Sequence, residues 1–202
     1  MSYIEHSTTK LEPSKFYHIY NRAVGDDLLF LNDENYRYFL KKYDEYLNEV
    51  IDTYAYCLMG NHFHLLIRVK DEIDLKHLTG FENLSGVLSK KFSNFFNAYT
   101  KAFNKVNQRN GTLFQTPFKR VLVNSDTYFT RLIYYIHNNP RHHEIMNDFT
   151  AYPWSSYGSL ISENFSKLKR KEVIEWFYSK EEFVSFHKQK YNLIDIEQLI
   201  IE

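Results

Sequence analysis

The alternation of apolar and polar residues is clearest in the segment GNHFHLLIRV, which starts at Gly60 and predicts a β-strand over residues 62–70. Side chains of a strand point alternately to its two faces, so one face of this strand is apolar and belongs against a core. That face carries Phe63, Leu65, Ile67 and Val69. The other face carries His62 and His64 next to each other. Two imidazoles held together on a rigid strand are half of a metal-binding site.

The remaining chain divides into strand-like and helix-like segments. Runs rich in β-branched and aromatic residues predict strands over residues 16–22, 53–59 and 118–123. Apolar residues at helical spacing predict helices over residues 34–50, 84–107 and 127–139, and an amphipathic helical tail from residue 167. Gly60 and Asn61 form a tight turn, so the strands on either side of it pair as a hairpin. Pro140 is expected to end the helix that precedes it.

The order of these elements predicts the fold. The first six follow the ferredoxin-like βαββαβ arrangement, an antiparallel four-stranded sheet with two helices on one face, which belongs to the α+β class. The added helix over residues 127–139 can cross the other face of the sheet, where the two histidines lie. We expect one domain over residues 1–165 and a C-terminal helical extension over residues 166–202 that packs on it.

Composition and charge narrow the class of protein. Cys57 is the only cysteine, which rules out an internal disulfide, and neither a long apolar run nor a signal pattern is present, so we expect a soluble cytoplasmic protein. The net charge is zero, but residues 83–143 carry nine Lys and Arg against one acid, Asp126, and therefore a charge of +8. This asymmetry predicts that one face of the protein is electropositive and binds a polyanion. Chance clustering on a solvated helix face is the alternative.

The added helix supplies candidates for the second half of the site. Tyr135 and Asn139 are four residues apart and share one face of the helix. A tyrosine hydroxyl can attack phosphorus, and an asparagine carbonyl can be a third metal ligand beside two imidazoles. Such a ligand set suits Mg²⁺ or Mn²⁺ acting as a Lewis acid on a phosphodiester. Each feature alone is more often structural, so the prediction depends on their combination.

These motifs resemble those of a known family. The segment HFH at residues 62–64 resembles the histidine–hydrophobic–histidine motif of the Y1 (HUH) transposases, the IS200-like family. The segment YIHNNP at residues 135–140 is similar to that family's tyrosine helix, in the form found in the REP-associated tyrosine transposase branch. Further similar segments are Tyr17-His18 with Asn21-Arg22, GTLFQ at residues 111–115 with Phe118-Lys119, and YPWSSY at residues 152–157. The resemblance covers residues 16–160. It departs after Pro140, where Arg141-His142-His143-Glu144 replaces the usual Val-Arg-Ala-Gly type of sequence.

The resemblance implies a ferredoxin-like enzyme that nicks single-stranded DNA at hairpin-bearing ends and transfers the strand. It implies that Tyr135 is the nucleophile, which forms a 5′-phosphotyrosine link and frees a 3′-OH, although the adjacent Tyr134 is a rival. It also implies that His62, His64 and Asn139 bind the divalent metal, Mg²⁺ or Mn²⁺. Attack by a 3′-OH on the link rejoins the strands, so the reaction needs no energy cofactor.

Basic side chains are the expected contacts to DNA phosphates. The candidates are Arg22, Lys90, Lys91, Lys101, Lys105, Lys119, Arg120 and Arg131. We expect single-stranded hairpin DNA as the partner, association with the nucleoid, no membrane or small-molecule substrate, and a monomer or homodimer. Two alternatives stay open. One is a ferredoxin-like nucleic-acid-binding protein without catalysis, such as a domesticated transposase. The other is a metal hydrolase in which water attacks and Tyr135 is only structural.

Overall fold

A computed structural model describes residues 9–75 and 84–189. Its strands are β1 (Phe16–Arg22), β2 (Ile51–Met59), β3 (His62–Val69) and β4 (Lys119–Val123). Its helices are α1 (Asp33–Leu47), α2 (Glu72–Leu75), α3 (Leu84–Val106), α4 (Asp126–His142), α5 (Tyr157–Ile161), α6 (Arg170–Trp176) and α7 (Lys180–Lys188). Three parts of the predicted organisation lie outside the described residues: the start of the domain (1–8), the connection before the second long helix (76–83) and the end of the tail (190–202).

The four strands form one sheet in the order β2-β3-β1-β4, and every neighbouring pair is antiparallel. This is the strand order of a ferredoxin-like sheet, so the predicted α+β fold is confirmed. Between the first helix and the second strand, both boundaries differ from the prediction. α1 ends at Leu47 rather than at residue 50, and β2 begins at Ile51 rather than at residue 53. Ile51 pairs with Val69 at the end of β3, which extends the ladder further than the local sequence indicates.

One face of the sheet is covered by α1 and α3. The Asn32 side chain accepts a hydrogen bond from the Asn35 N–H and caps the start of α1. The apolar side of α3 faces the sheet through large side chains, which are Leu88, Phe92, Phe95, Phe96, Tyr99 and Phe103. These side chains share a core with the predicted apolar face of β3. The two histidines therefore point to the opposite side of the sheet.

The opposite face is covered by α4, as the sequence predicts. Ser125 caps the helix by accepting from the Tyr128 N–H, and apolar residues of α4 share a second core with the sheet. The prediction that Pro140 ends this helix is wrong, because α4 continues to His142. Proline removes only its own N–H, and the next turn still closes through the His143 N–H and the Asn139 carbonyl at 2.9 Å.

The predicted helical tail consists of two helices, α6 and α7, over the described residues. Val173, Phe177 and Phe183 are buried in the same core as α4. None of the helices in the described ranges has the length and apolarity that a membrane span requires.

A chain of buried hydrogen bonds connects the tail to α4 and the sheet. His187 Nδ1 is 2.8 Å from the Phe183 carbonyl oxygen, which only accepts, so Nδ1 donates and Nε2 accepts. His137 Nδ1 therefore donates to His187 at 2.9 Å, and His137 Nε2 accepts from the Ser156 hydroxyl at 2.8 Å. Ser156 itself accepts from the Tyr56 N–H. Burial lowers the pKa of both histidines, that of His187 to about 4, so this chain is neutral at pH 7.

Candidate functional site

The two histidines of β3 lie at the end of the sheet near the β2–β3 turn. Their register is set by both neighbouring strands: His62 pairs with Arg22 of β1 and Met59 of β2, and His64 pairs with Tyr20 of β1 and Cys57 of β2. His64 is only 1% exposed, and His62 is partly exposed. Burial lowers the pKa of His64 well below its ordinary value of 6.5, so its imidazole is neutral at pH 7. A neutral imidazole is the form that binds a metal.

The hydrogen bonds of His62 direct one ring nitrogen toward α4. Nδ1 of His62 is 2.7 Å from the Asn61 side-chain oxygen, an acceptor, so Nδ1 carries the hydrogen and Nε2 carries a lone pair. This Nε2 is buried and has no hydrogen-bond partner among the described residues. Burial and the neighbouring His143 lower the pKa of His62 to about 4, whereas the Asn139 side chain acts in the opposite direction. Asn139 therefore lies close enough to stabilise positive charge on His62.

The Asn139 side chain presents its oxygen to the same place. Its Nδ2 donates to the Tyr135 carbonyl at 2.9 Å, one turn earlier in α4, which fixes the orientation of the amide. Its Oδ1 is buried and has no hydrogen-bond partner among the described residues. His62 Nε2 and Asn139 Oδ1 are thus two buried acceptors without a donor, an arrangement that a cation satisfies.

This donor set fits a divalent cation. In the described part of the chain, no three His, Cys, Asp or Glu residues cluster closely enough to hold a metal. The Asn139 oxygen is available as a third protein ligand beside the two imidazoles. Oxygen ligands suit Mg²⁺ and Mn²⁺, imidazole ligands suit Zn²⁺ and other later first-row metals, and no thiolate is present to favour softer ions.

Tyr135 lies against the histidines, and Tyr134 does not. The Tyr135 ring meets the His64 ring edge to face, with centroids 5.4 Å apart and an interplanar angle of 86°. The Tyr134 hydroxyl instead accepts from Arg141 at 3.2 Å, and its ring contacts Phe149 and the tail. The two residues are on different sides of α4, so of these two tyrosines only Tyr135 lies at the histidines. Tyr135 is itself 2% exposed.

His18 of β1 belongs to the site and is missing from the residues predicted by sequence. Its Nε2 is 2.9 Å from Nδ1 of His64, and the two rings stack with centroids 5.1 Å apart. His18 is fully buried. Alternation along β1 places His18, Tyr20 and Arg22 on one face, and this pattern in the sequence could have identified it.

A pocket of about 410 Å³ gives access to the histidines from the β1 side. It is lined by His62 and His64 and by Tyr20, Asn21, Arg22, Gln115, Lys119 and His143, among others. Its volume is large enough for a phosphate group and part of a nucleotide. The cationic side chains of Arg22 and Lys119 give the pocket wall positive charge. Tyr135 does not line this pocket.

The predicted DNA-contacting residues are dispersed. Arg22 and Lys119 lie at the histidine pocket. Lys90, Lys91, Lys101 and Lys105 are all on α3, on the other side of the sheet from the histidines. Lys91 forms an ion pair with Glu49. Arg120 donates to the Thr9 carbonyl at 2.7 Å and lies over the Phe118 ring, and Arg131 is partly buried on α4. The basic window therefore occupies both sides of the molecule rather than one face, because α3 and α4 cover opposite faces of the sheet.

Comparison with known proteins shows the fold. No family model matches the chain, and no curated protein matches it. Its structure is similar to that of a REP-associated tyrosine transposase bound to a REP hairpin, with a TM-score of 0.61 and 12% sequence identity. The match covers 79% of this chain and 86% of that chain. The chain therefore has the α+β fold of that transposase, with the same four-stranded sheet flanked by helices.

Proposed function

We propose that this protein is a metal-dependent transposase-type enzyme that nicks single-stranded DNA and transfers the strand. The proposed substrate is hairpin-bearing DNA, and the intermediate is a 5′-phosphotyrosine on Tyr135. One observation carries the proposal: Tyr135 and Asn139, on one face of α4, meet His64 and His62 of β3, and neither His62 Nε2 nor Asn139 Oδ1 has a hydrogen-bond partner among the described residues. The likeness in fold to a tyrosine transposase agrees with this assignment.

The chemistry follows from the roles of these residues. The Tyr135 oxygen attacks the scissile phosphorus, a P–O bond to Tyr135 forms, and the P–O bond to the 3′-oxygen breaks. The phenol loses one proton and the departing 3′-oxygen gains one, so neither water nor a nucleotide cofactor is consumed. His62, His64 and Asn139 would hold Mg²⁺ or Mn²⁺, which when bound supplies a Lewis acid that stabilises charge on the phosphate. Attack by a 3′-OH on the phosphotyrosine reverses the step and joins strands.

The remaining parts of the chain have supporting roles in this proposal. Arg22 and Lys119 bind and orient the phosphates that flank the scissile bond, because they line the pocket that reaches the histidines. All proposed catalytic residues come from one chain, so a monomer suffices. We assign the chemistry to residues 1–165, and we propose that α6 and α7, which belong to the extension over residues 166–202, hold α4 in place.

A second candidate function is hairpin DNA binding without catalysis. The observation that favours it is the burial of Tyr135, which is 2% exposed and absent from the pocket wall. Catalysis requires that the Tyr135 side chain or α4 move when DNA binds. A water-dependent metal hydrolase is favoured by the same pocket, which reaches both histidines but not Tyr135.

One experiment separates the three functions. The protein is incubated with Mn²⁺ and single-stranded hairpin oligonucleotides taken from the DNA that flanks its own gene. The proposal predicts an SDS-resistant protein–DNA adduct that Tyr135→Phe abolishes and Tyr134→Phe retains. Tyr134 is the matched control, because it is equally buried on the same helix and faces the tail. Cleavage without an adduct supports the hydrolase, and salt-sensitive binding without cleavage supports the binding protein.

A further inference from the structure

His18 contacts Nδ1 of His64, whereas the proposed metal position is at the other ring nitrogen, Nε2. Nε2 of His18 and Nδ1 of His64 are 2.9 Å apart, and one hydrogen lies between them. The contact is diagonal across the β1–β3 ladder, because His18 pairs with Leu66 and His64 pairs with Tyr20. The rings of His18, His64 and Tyr20 pack together as a triangle, with centroids 5.1 Å apart for His18 and His64, 4.7 Å for His18 and Tyr20, and 5.7 Å for Tyr20 and His64. The geometry therefore fixes the plane of the His64 ring.

The position of the hydrogen determines which nitrogen of His64 can bind a metal. A neutral imidazole that binds a cation through Nε2 must carry its hydrogen on Nδ1. In this pair, His64 Nδ1 would then donate to Nε2 of His18, and His18 would carry its own hydrogen on Nδ1. Nδ1 of His18 is buried without a hydrogen-bond partner among the described residues, so nothing holds His18 in the opposite tautomer.

A purely structural role does not explain a histidine at this place. An unpartnered buried nitrogen lowers the stability of the fold, and an apolar ring of similar size would avoid that cost. Groups that accept a hydrogen bond from the second nitrogen of a metal-binding histidine typically strengthen metal binding by about 10–100-fold. His18 is placed to do this for His64.

We propose that His18 is a positioning residue that orients His64 and selects its Nδ1–H tautomer, so that His64 Nε2 is available to the divalent cation. This inference rests on the proposed function, because it takes His64 to be a metal ligand. His18 touches neither the cation nor the DNA in this role. Its effect is on metal affinity through His64.

The first test measures Mn²⁺ affinity of the purified protein without DNA, from the electron paramagnetic resonance signal of free Mn²⁺. His18→Phe should weaken Mn²⁺ binding about 10–100-fold while leaving the melting temperature nearly unchanged, because it removes the unpartnered His18 Nδ1 but takes the partner of His64 Nδ1 away. His18→Gln, which keeps a hydrogen-bond acceptor, should recover most of the affinity. Ile19→Val is the matched control, because Ile19 is the next residue of β1 and is buried in the core on the other face. It should lower stability slightly without changing Mn²⁺ affinity.

The second test needs no variant at this position. Two-dimensional ¹H–¹⁵N spectra of the histidine side chains in the Mg²⁺-loaded protein should show His64 as the Nδ1–H tautomer. An Nε2–H tautomer for His64 would overturn the inference, as would His18→Phe protein that binds Mn²⁺ like the wild type. If the wild type binds Mn²⁺ in this way but forms no DNA adduct, the proposed function fails and the inference stands. If the wild type binds no Mn²⁺, both are overturned.

Discussion

Replacement of Asn139 by leucine tests whether the two buried acceptor atoms of the site, His62 Nε2 and Asn139 Oδ1, bind a cation. Asn139 is completely buried, and its Oδ1 has no hydrogen-bond partner among the described residues. Leucine has the same branched arrangement of heavy atoms, although its two methyl groups are bulkier, and it removes the unpartnered oxygen, which returns about 1–3 kcal/mol of desolvation free energy. It also removes the hydrogen bond from Nδ2 to the Tyr135 carbonyl, which is worth about 0.5–1.5 kcal/mol. In EDTA, Asn139→Leu should therefore be as stable as the wild type or about 1 kcal/mol more stable.

In the presence of metal, the order of stability should be reversed, and the wild type should be more stable than Asn139→Leu. Mn²⁺ at about 100 times its Kd stabilises a folded protein that binds it by about 2.7 kcal/mol, so the wild type should gain this amount. If the loss of one of three protein ligands weakens binding 100-fold, Asn139→Leu should gain less than about 0.5 kcal/mol. Urea unfolding curves recorded with EDTA and with Mn²⁺ give both free energies.

The neighbouring Asn138 provides the control. It is also buried on α4 and its Oδ1 also lacks a partner among the described residues, but it is not a proposed ligand. Asn138→Leu should match Asn139→Leu in EDTA and match the wild type in Mn²⁺. The reasoning is refuted if Asn139→Leu is strongly destabilised in EDTA, or if Mn²⁺ stabilises it as much as it stabilises the wild type.

Three further predictions follow from the fold and the pocket. Lowering the pH should destabilise the protein, because the pKa of His187 falls from 6.5 to about 4 on folding and the unfolded chain binds the extra proton. The free energy of unfolding should fall below about pH 6.5, and His187 alone should account for a loss of about 2 kcal/mol at pH 5. Urea unfolding curves that are the same at pH 7.5 and pH 5 would contradict this prediction. Ser156→Ala should lower the free energy of unfolding by about 1–3 kcal/mol, because it leaves His137 Nε2 and the Tyr56 N–H without partners. A urea unfolding midpoint equal to that of the wild type would show that these hydrogen bonds do not stabilise the fold. Lys119→Gln should reduce the salt slope of hairpin binding by about one, as measured by fluorescence anisotropy at several salt concentrations, and an unchanged slope would remove Lys119 from the DNA path.

The parts of the fold that were predictable are those with a strong local pattern. Alternation along β3 separated its apolar face from its histidine face, and the structure places those faces in contact with different helices. The four-residue spacing of Tyr135 and Asn139 placed both on one side of α4, because a helix brings such residues together regardless of its surroundings. The element order then determined that this helix crosses the histidine face.

The parts that were missed depend on contacts between distant segments. His18 lies 46 positions before His64 in sequence, and only the pairing of β1 with β3 brings the two rings together. The hydrogen bond between His187 and His137 likewise requires that α7 pack on α4. The basic window was expected on one face, yet charge counted along a sequence does not reveal that α3 and α4 cover opposite faces of the sheet. Pro140 has a strong local preference to end a helix, but the following hydrogen bonds carry the helix onward.

The most direct test of the proposed function is to locate the covalent bond between protein and DNA. Trypsin cleaves after Arg131 and Arg141, so one peptide of residues 132–141 contains both Tyr134 and Tyr135. After incubation with hairpin DNA and Mn²⁺, nuclease digestion and tandem mass spectrometry should find a nucleotide attached through its 5′-phosphate to Tyr135. Fragment ions that place the nucleotide on Tyr134, or DNA cleavage with no modified peptide, would contradict the assignment of Tyr135 as the nucleophile.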